Sequence, residues 1–142
     1  MKNTDIQEQL LMLKPIAKGR PRASGRGKFI RMYTPKKTAD AEKMIQHLWI
    51  AENGLQKWDF PIRLEVMFHF KIPKSYTKKR RQELEIAKFL HTVKPDLDNC
   101  VKLLCDSLNG IAFVDDALIC DQVISKRWAD EDSIYVKISK AL

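Results

Sequence analysis

A chain of 142 residues with 44% hydrophobic and 31% charged side chains is long enough to bury one core and too apolar for intrinsic disorder. Its uncharged apolar runs, such as 111–114, fall far short of the roughly 18 residues that span a bilayer. The first five residues lack the apolar stretch of a secretory signal, so a cytoplasmic protein with no membrane partner is expected. Lys and Arg number 26 against 18 acids, a net charge of +8, and Cys100, Cys105 and Cys120 form no C-x-x-C pair, which argues against a disulfide framework or a zinc knuckle.

Leu10 to Ile16 reads as a first strand, followed by a loop from Lys18 to Gly27 that holds three of the five glycines. Phe29 to Tyr33 alternates like a short strand that Thr34-Pro35 stops. From Thr38 to Asn53, Ala41, Met44, Ile45, Leu48 and Trp49 recur at helical spacing, and Gly54 ends the helix. Ile62 to Ile72 alternates apolar and polar residues and is the clearest strand. Ser75 or Thr77 caps a helix whose first turns carry Lys78, Lys79, Arg80 and Arg81, cations that oppose the macrodipole unless an anion lies nearby. After a loop at 91–95, a helix should run from near Asp98 to Asn109-Gly110, burying Val101, Leu104, Cys105 and Leu108. Strands are expected over 111–114 and 118–124, on either side of Asp115-Asp116, and over 133–139. With no repeat or linker, residues 1–142 are expected to form a single α+β domain, a small mixed β-sheet packed with helices.

The charge is unevenly spread. Residues 1–95 carry 21 bases and 9 acids, whereas residues 96–142 carry 5 bases and 9 acids. Lys14, Lys18, Arg20, Arg22, Arg26, Lys28, Arg31, Lys36 and Lys37 follow one another with no acid between them. Such a stretch suits a polyanion, because Lys and Arg release counterions from phosphates; a solvated basic surface without a ligand is the plainer alternative. Lys78 and Lys79 add to the DNA-binding candidates.

The acidic part has its own pattern. Asp96 and Asp98 share a side if extended, Asp98 and Lys102 share a helix face, and Asp115-Asp116 can be returned to the same place. Carboxylates that converge beside an apolar core repel one another and need a cation. Oxygen-only ligands suit Mg²⁺, and carboxylates with Mg²⁺ on a basic chain point to phosphodiester hydrolysis, with Lys102 stabilising transition-state charge or orienting the attacking water. Each residue also has a structural alternative: Asp98 as an N-cap, Asp98 with Lys102 as a surface ion pair, and Asp115-Asp116 as turn residues.

Lys94-Pro95-Asp96-Leu97-Asp98-Asn99, Lys102, Asp106-Ser107-Leu108-Asn109-Gly110 and Asp115-Asp116-Ala117-Leu118-Ile119, in that order, resemble the signature of the RusA family of Holliday-junction resolvases. Lys18 to Arg22, Tyr33-Thr34-Pro35 and Pro73-Lys74-Ser75 resemble its upstream segments. The resemblance implies a homodimeric endonuclease, dependent on Mg²⁺ with Mn²⁺ as a substitute, that nicks four-way DNA junctions symmetrically in recombination and repair, in bacteria and often in phages or prophages. It implies catalytic roles for Asp96, Asp98, Lys102 and Asp116, and metal binding by Asp96, Asp98, Asp115 and Asp116. A nucleic-acid-binding module with structural acids, or a nuclease for other branched DNA, are the rival readings. Trp49, Trp58 and Trp128 are candidates for either a dimer interface or the core.

Overall fold

The alternation of Ile62, Leu64, Val66, Phe68 and Phe70 produces the strand on which the rest is built: all five are buried on one face of β4 (Ile62–Lys71). The computed structural model describes residues 5–20 and 22–142. In it β4 pairs antiparallel with β6 (Ser133–Lys140) and parallel with β5 (Ile119–Ala129), while β1 (Ile6–Leu11) adds antiparallel to the outside of β6. The order β1-β6-β4-β5 makes a mixed sheet, and the fold is α+β as expected. A parallel pair cannot be joined by a tight turn. The chain between β4 and β5 accordingly holds α2 (Lys78–Ile86) and α3 (Leu97–Leu108).

The apolar face of the sheet is covered by α1 (Lys36–Asn53) and α3. Helix α1 contributes Ile45 and Trp49, both fully buried, whereas Met44 is exposed although its spacing assigned it to the same stripe. Helix α3 buries Val101, Leu104, Cys105 and Leu108 as the periodicity predicts, with Cys100, Leu103 and Ser107 beside them. The Ser107 hydroxyl donates to the Leu103 carbonyl at 2.6 Å, which satisfies it inside the core. Trp49 and Trp58 are core residues and Trp128 is half-buried.

Three local expectations are revised. The first strand lies at Ile6–Leu11, upstream of the predicted 10–16, because the edge of β6 pairs with Ile6 through Leu11 and Pro15 has no amide hydrogen for a ladder. The glycine-rich loop contains its own small hairpin, β2 (Arg22–Ser24) paired with β3 (Arg31–Tyr33). Gly25 makes this turn at φ 110°, where a Cβ would collide with the Phe29 carbonyl oxygen. Residues 111–114 form no strand: Trp58 exchanges backbone hydrogen bonds with Ala112 and Val114, and the chain then turns once at Asp116–Leu118 before β5.

Leu104→Ala should lower the unfolding free energy by about 2–5 kcal/mol, because the leucine is wholly enclosed. The exposed Met44→Ala should stay within about 0.5 kcal/mol. Urea denaturation of both variants reads the contrast.

Candidate active site

The site is built on the first turns of α3. Asp96 occupies the N-cap position with extended backbone, yet its carboxylate makes no capping hydrogen bond. Asp98 lies inside the first turn, so it is not the cap, although a negative charge there is favoured by the helix dipole. Because α3 spends its apolar stripe on the sheet, Asp98 and Lys102 remain on its exposed side. Among the described residues no ion pair joins these two, so the lysine is not consumed by its i+4 neighbour.

Asp116 reaches them from a different segment. The clasp between Trp58 and residues 112–114 fixes the return path, and Asp115 then caps the turn that follows, its carboxylate accepting from the Ala117 N–H at 3.0 Å. Asp98, Lys102 and Asp116 line one cleft of about 310 Å³, with Val101, Cys105, Ile119 and Ile124 as its apolar wall. Asp96, two residues from Asp98, lines a second and larger cavity instead.

Asp116, in the cleft, and its neighbour Asp115 shift each other's carboxyls in opposite directions. Burial, a hydrogen bond with Asp115 and the charges of Asp115 and Asp106 raise the Asp116 carboxyl above the usual carboxylate range, against the pull of Lys102. The Ala117 N–H and the hydrogen bond from Asp116 lower Asp115. Two acids that shift each other in this way mark a place where positive charge is wanted. The donors are all oxygen, which fits a hard divalent cation. Among the described residues no three His, Cys, Asp or Glu side chains are grouped closely enough to enclose an ion, so water and phosphate oxygens would supply much of the coordination sphere. Cys105 offers no thiolate, since burial and the nearby Asp116 and Asp106 push its thiol up to about 12.

The basic residues divide into two groups. Lys14, Arg20, Arg26, Lys28, Lys36, Lys37, Lys78 and Lys79 are exposed, and Thr77 caps α2 through its hydroxyl, which accepts from the Arg80 N–H at 3.1 Å. The side chain of Arg22 lies outside the described residues. Lys18 is differently employed: its ammonium group lies 2.5 Å from Glu42 of α1 and 3.2 Å from Asp106 of α3, and its N–H donates to the Asn99 carbonyl. It therefore fastens the basic loop to both helices, and these partners keep its ammonium charged, with a pKa above the ordinary lysine value despite opposition from burial.

Lys126 escaped the sequence reading. From β5 its ammonium group donates to the carbonyls of Val93 and Pro95, each at 2.8 Å, and so ties the segment that presents Asp96 to the sheet. A lone lysine in an alternating strand carries no local signal of such a role. Asp106 was visible within a motif, but its contact with Lys18 was not.

The sequence profile of the family described as endodeoxyribonuclease RusA matches residues 13–139, a span that contains every residue of the cleft. The chain belongs to the RusA family. It is an endodeoxyribonuclease of the Holliday-junction resolvase kind, and nucleases of this family generally depend on a divalent metal and act on branched DNA. The chain is also similar to the uncharacterized protein YqaN of Bacillus subtilis (strain 168), with 30% identity over 127 residues that cover 88% of this chain and 89% of the relative. Among the described residues, no helix is long and apolar enough to cross a membrane.

His91, in the larger cavity, yields a prediction about pH. Its burial, with the Lys126 charge nearby, lowers the imidazole from an ordinary 6.5 to about 4. Between these values the unfolded chain binds more protons than the native one, so the contribution of His91 to stability is complete above 6.5 and falls as pH drops toward 4. His91→Phe should flatten that part of the stability profile, measured by denaturation at a series of pH values.

Proposed function

We propose that this RusA-family enzyme resolves four-way DNA junctions by paired symmetric nicks, using Mg²⁺ or in its place Mn²⁺, in the recombination and repair of bacterial, phage or prophage DNA. The observation that carries the reading is the meeting of Asp98, Lys102 and Asp116 in one cleft of a basic protein. Asp98 and Asp116 would hold the ion, with Asp96 and Asp115 as the remaining carboxylates of the set. When bound, such an ion supplies Lewis acidity, which makes water a better nucleophile at neutral pH and offsets charge on the departing oxygen.

The chain's own groups do the rest. Lys102 lines the cleft, where its ammonium group would stabilise the extra negative charge that the phosphoryl oxygens gain in the transition state. The exposed bases of residues 14–37, with Lys78 and Lys79, draw phosphates toward a cleft whose acids alone would repel them. A cytoplasmic homodimer with twofold symmetry would present two such clefts, one for each of two opposed strands, which accounts for symmetric cutting.

The test compares a labelled four-way junction with linear duplex of the same sequence, with and without Mg²⁺. Cutting of the junction alone, and only with the metal, is expected. Equal cutting of a flap or a fork would move the enzyme to another branched substrate, and binding without any cutting would overturn the active-site reading. Asp98→Asn and Asp116→Asn should each reduce cleavage by about 10²-fold or more, with junction affinity in a gel shift retained. Lys102→Met should lower the single-turnover rate by ~10²-fold without raising the Mg²⁺ requirement; a rate restored by excess Mg²⁺ would assign the lysine to shaping the metal site.

A further inference from the structure

The larger cavity is separate from the carboxylate cleft and has about 1060 Å³ of space, at the upper end of the range for a ligand site. Asp96 lines this cavity and Asp98 the cleft, so the start of α3 stands between the two. The cavity combines two chemistries that seldom coincide. Its interior carries rings: Phe70 stacks on His91 at 4.0 Å between centroids, and His91 meets Trp128 at 4.4 Å. The series continues outward through Tyr76, 5.7 Å from Trp128, to the Arg80 guanidinium, 3.8 Å from the Tyr76 ring centroid. The cavity's lining also carries six cations, Lys14, Arg20, Lys37, Lys71, Lys74 and Lys94, against two acids, Asp96 and Asp132.

One atom of the wall lacks a partner. His91 is only 5% exposed, and its Nδ1 makes no hydrogen bond among the described residues. A buried polar atom left unpaired is costly, and this one is enclosed by the wall rather than open to the cavity. Burial keeps this ring neutral, so it packs against Phe70 and Trp128 as an uncharged aromatic surface.

We propose that this cavity binds an unstacked nucleobase and the phosphates beside it, from the substrate strand that passes the cleavage site. Trp128, the half-buried ring of the wall, stacks the base, and the cations hold the phosphates. A base within an intact duplex cannot enter, because its faces are covered by neighbouring pairs. A base at a branch point has lost part of that cover. The cavity therefore makes the enzyme sensitive to branched or locally opened DNA at a point away from the reacting phosphate. This inference rests on the proposed junction reading and extends it to recognition.

The protein carries its own reporter. Of its three tryptophans, Trp49 and Trp58 are buried at 0% and 4% exposure, while Trp128 is half-buried in the cavity wall. Titrating the whole protein in EDTA with a single-stranded oligothymidylate should quench tryptophan emission saturably. The same length of duplex should bind with little quenching, and thymidine monophosphate should need far higher concentrations. Trp128→Phe should abolish the signal, Trp128→Ala should weaken single-strand affinity by about fivefold or more, and the exposed Lys74→Ala should weaken it while preserving the emission of the free protein. Single-strand binding with unchanged emission, or equal quenching by duplex, would overturn the proposal. Saturation by the mononucleotide at oligonucleotide concentrations would reassign the cavity to a free nucleotide and overturn it too. Junction cleavage with Mg²⁺, measured on the same preparations, separates the two readings: cleavage without quenching overturns only the pocket, and quenching without cleavage overturns only the junction reading.

Discussion

The structure depends on how α3 lies against the sheet. A helix that buries Val101, Leu104, Cys105 and Leu108 has no freedom to turn, since a shift of one residue would rotate the stripe by about 100° and expose leucine to water. The orientation that hides the stripe leaves Asp98 and Lys102 outward, beside the segment that brings Asp116. The chemistry of the cleft is thus set by the hydrophobic effect acting on residues that take no part in it. Burial of each large side chain is worth about 1.5–3 kcal/mol, more than the repulsion between partly solvated carboxylates can recover by rotating the helix.

Electrostatics then works on a frame already rigid. Acids concentrated on a basic molecule cannot all be fully ionised and close together without compensation. Two kinds are present. Lys18 reaches Asp106 from the basic loop, and Asp115 and Asp116 shift each other's carboxyls in opposite directions. The first is a fixed structural bond that also anchors the loop on α1 through Glu42. The second leaves room for a divalent cation, whose double charge would offset both carboxylates. That difference separates the acid that supports the fold from those proposed for catalysis.

The exposed cations and the acids of the cleft occupy different surfaces. The β2–β3 hairpin and the capped start of α2 present cations to solvent, whereas the cleft presents acids. Lys126 connects the two: by gripping the carbonyls of Val93 and Pro95 it holds the segment that runs from the ring-lined cavity into α3. A strand drawn across this segment would meet phosphate-binding groups and the proposed catalytic groups in succession.

Much of this was legible without coordinates, and the reason is periodicity. Repeats of two residues in β4 and of three or four in α3 report burial directly, because each side chain's face follows from backbone geometry alone. The ordered motifs from Lys94 to Ile119 identified the family, since they lie along a contiguous stretch. Other features needed the tertiary structure. The start of β1 was displaced because an edge strand is fixed by its partner, β6, far away in sequence. The apolar segment 111–114 lost its strand to backbone bonds with Trp58, a residue no local pattern links to it. Lys18 looked like one more base for DNA until its two acidic neighbours, from two separate helices, were beside it. The sequence by itself determined which faces are buried and which chemical groups are available. Only the tertiary structure decided which groups share a cleft, because contacts between distant segments depend on packing in three dimensions, and no spacing along one chain encodes them.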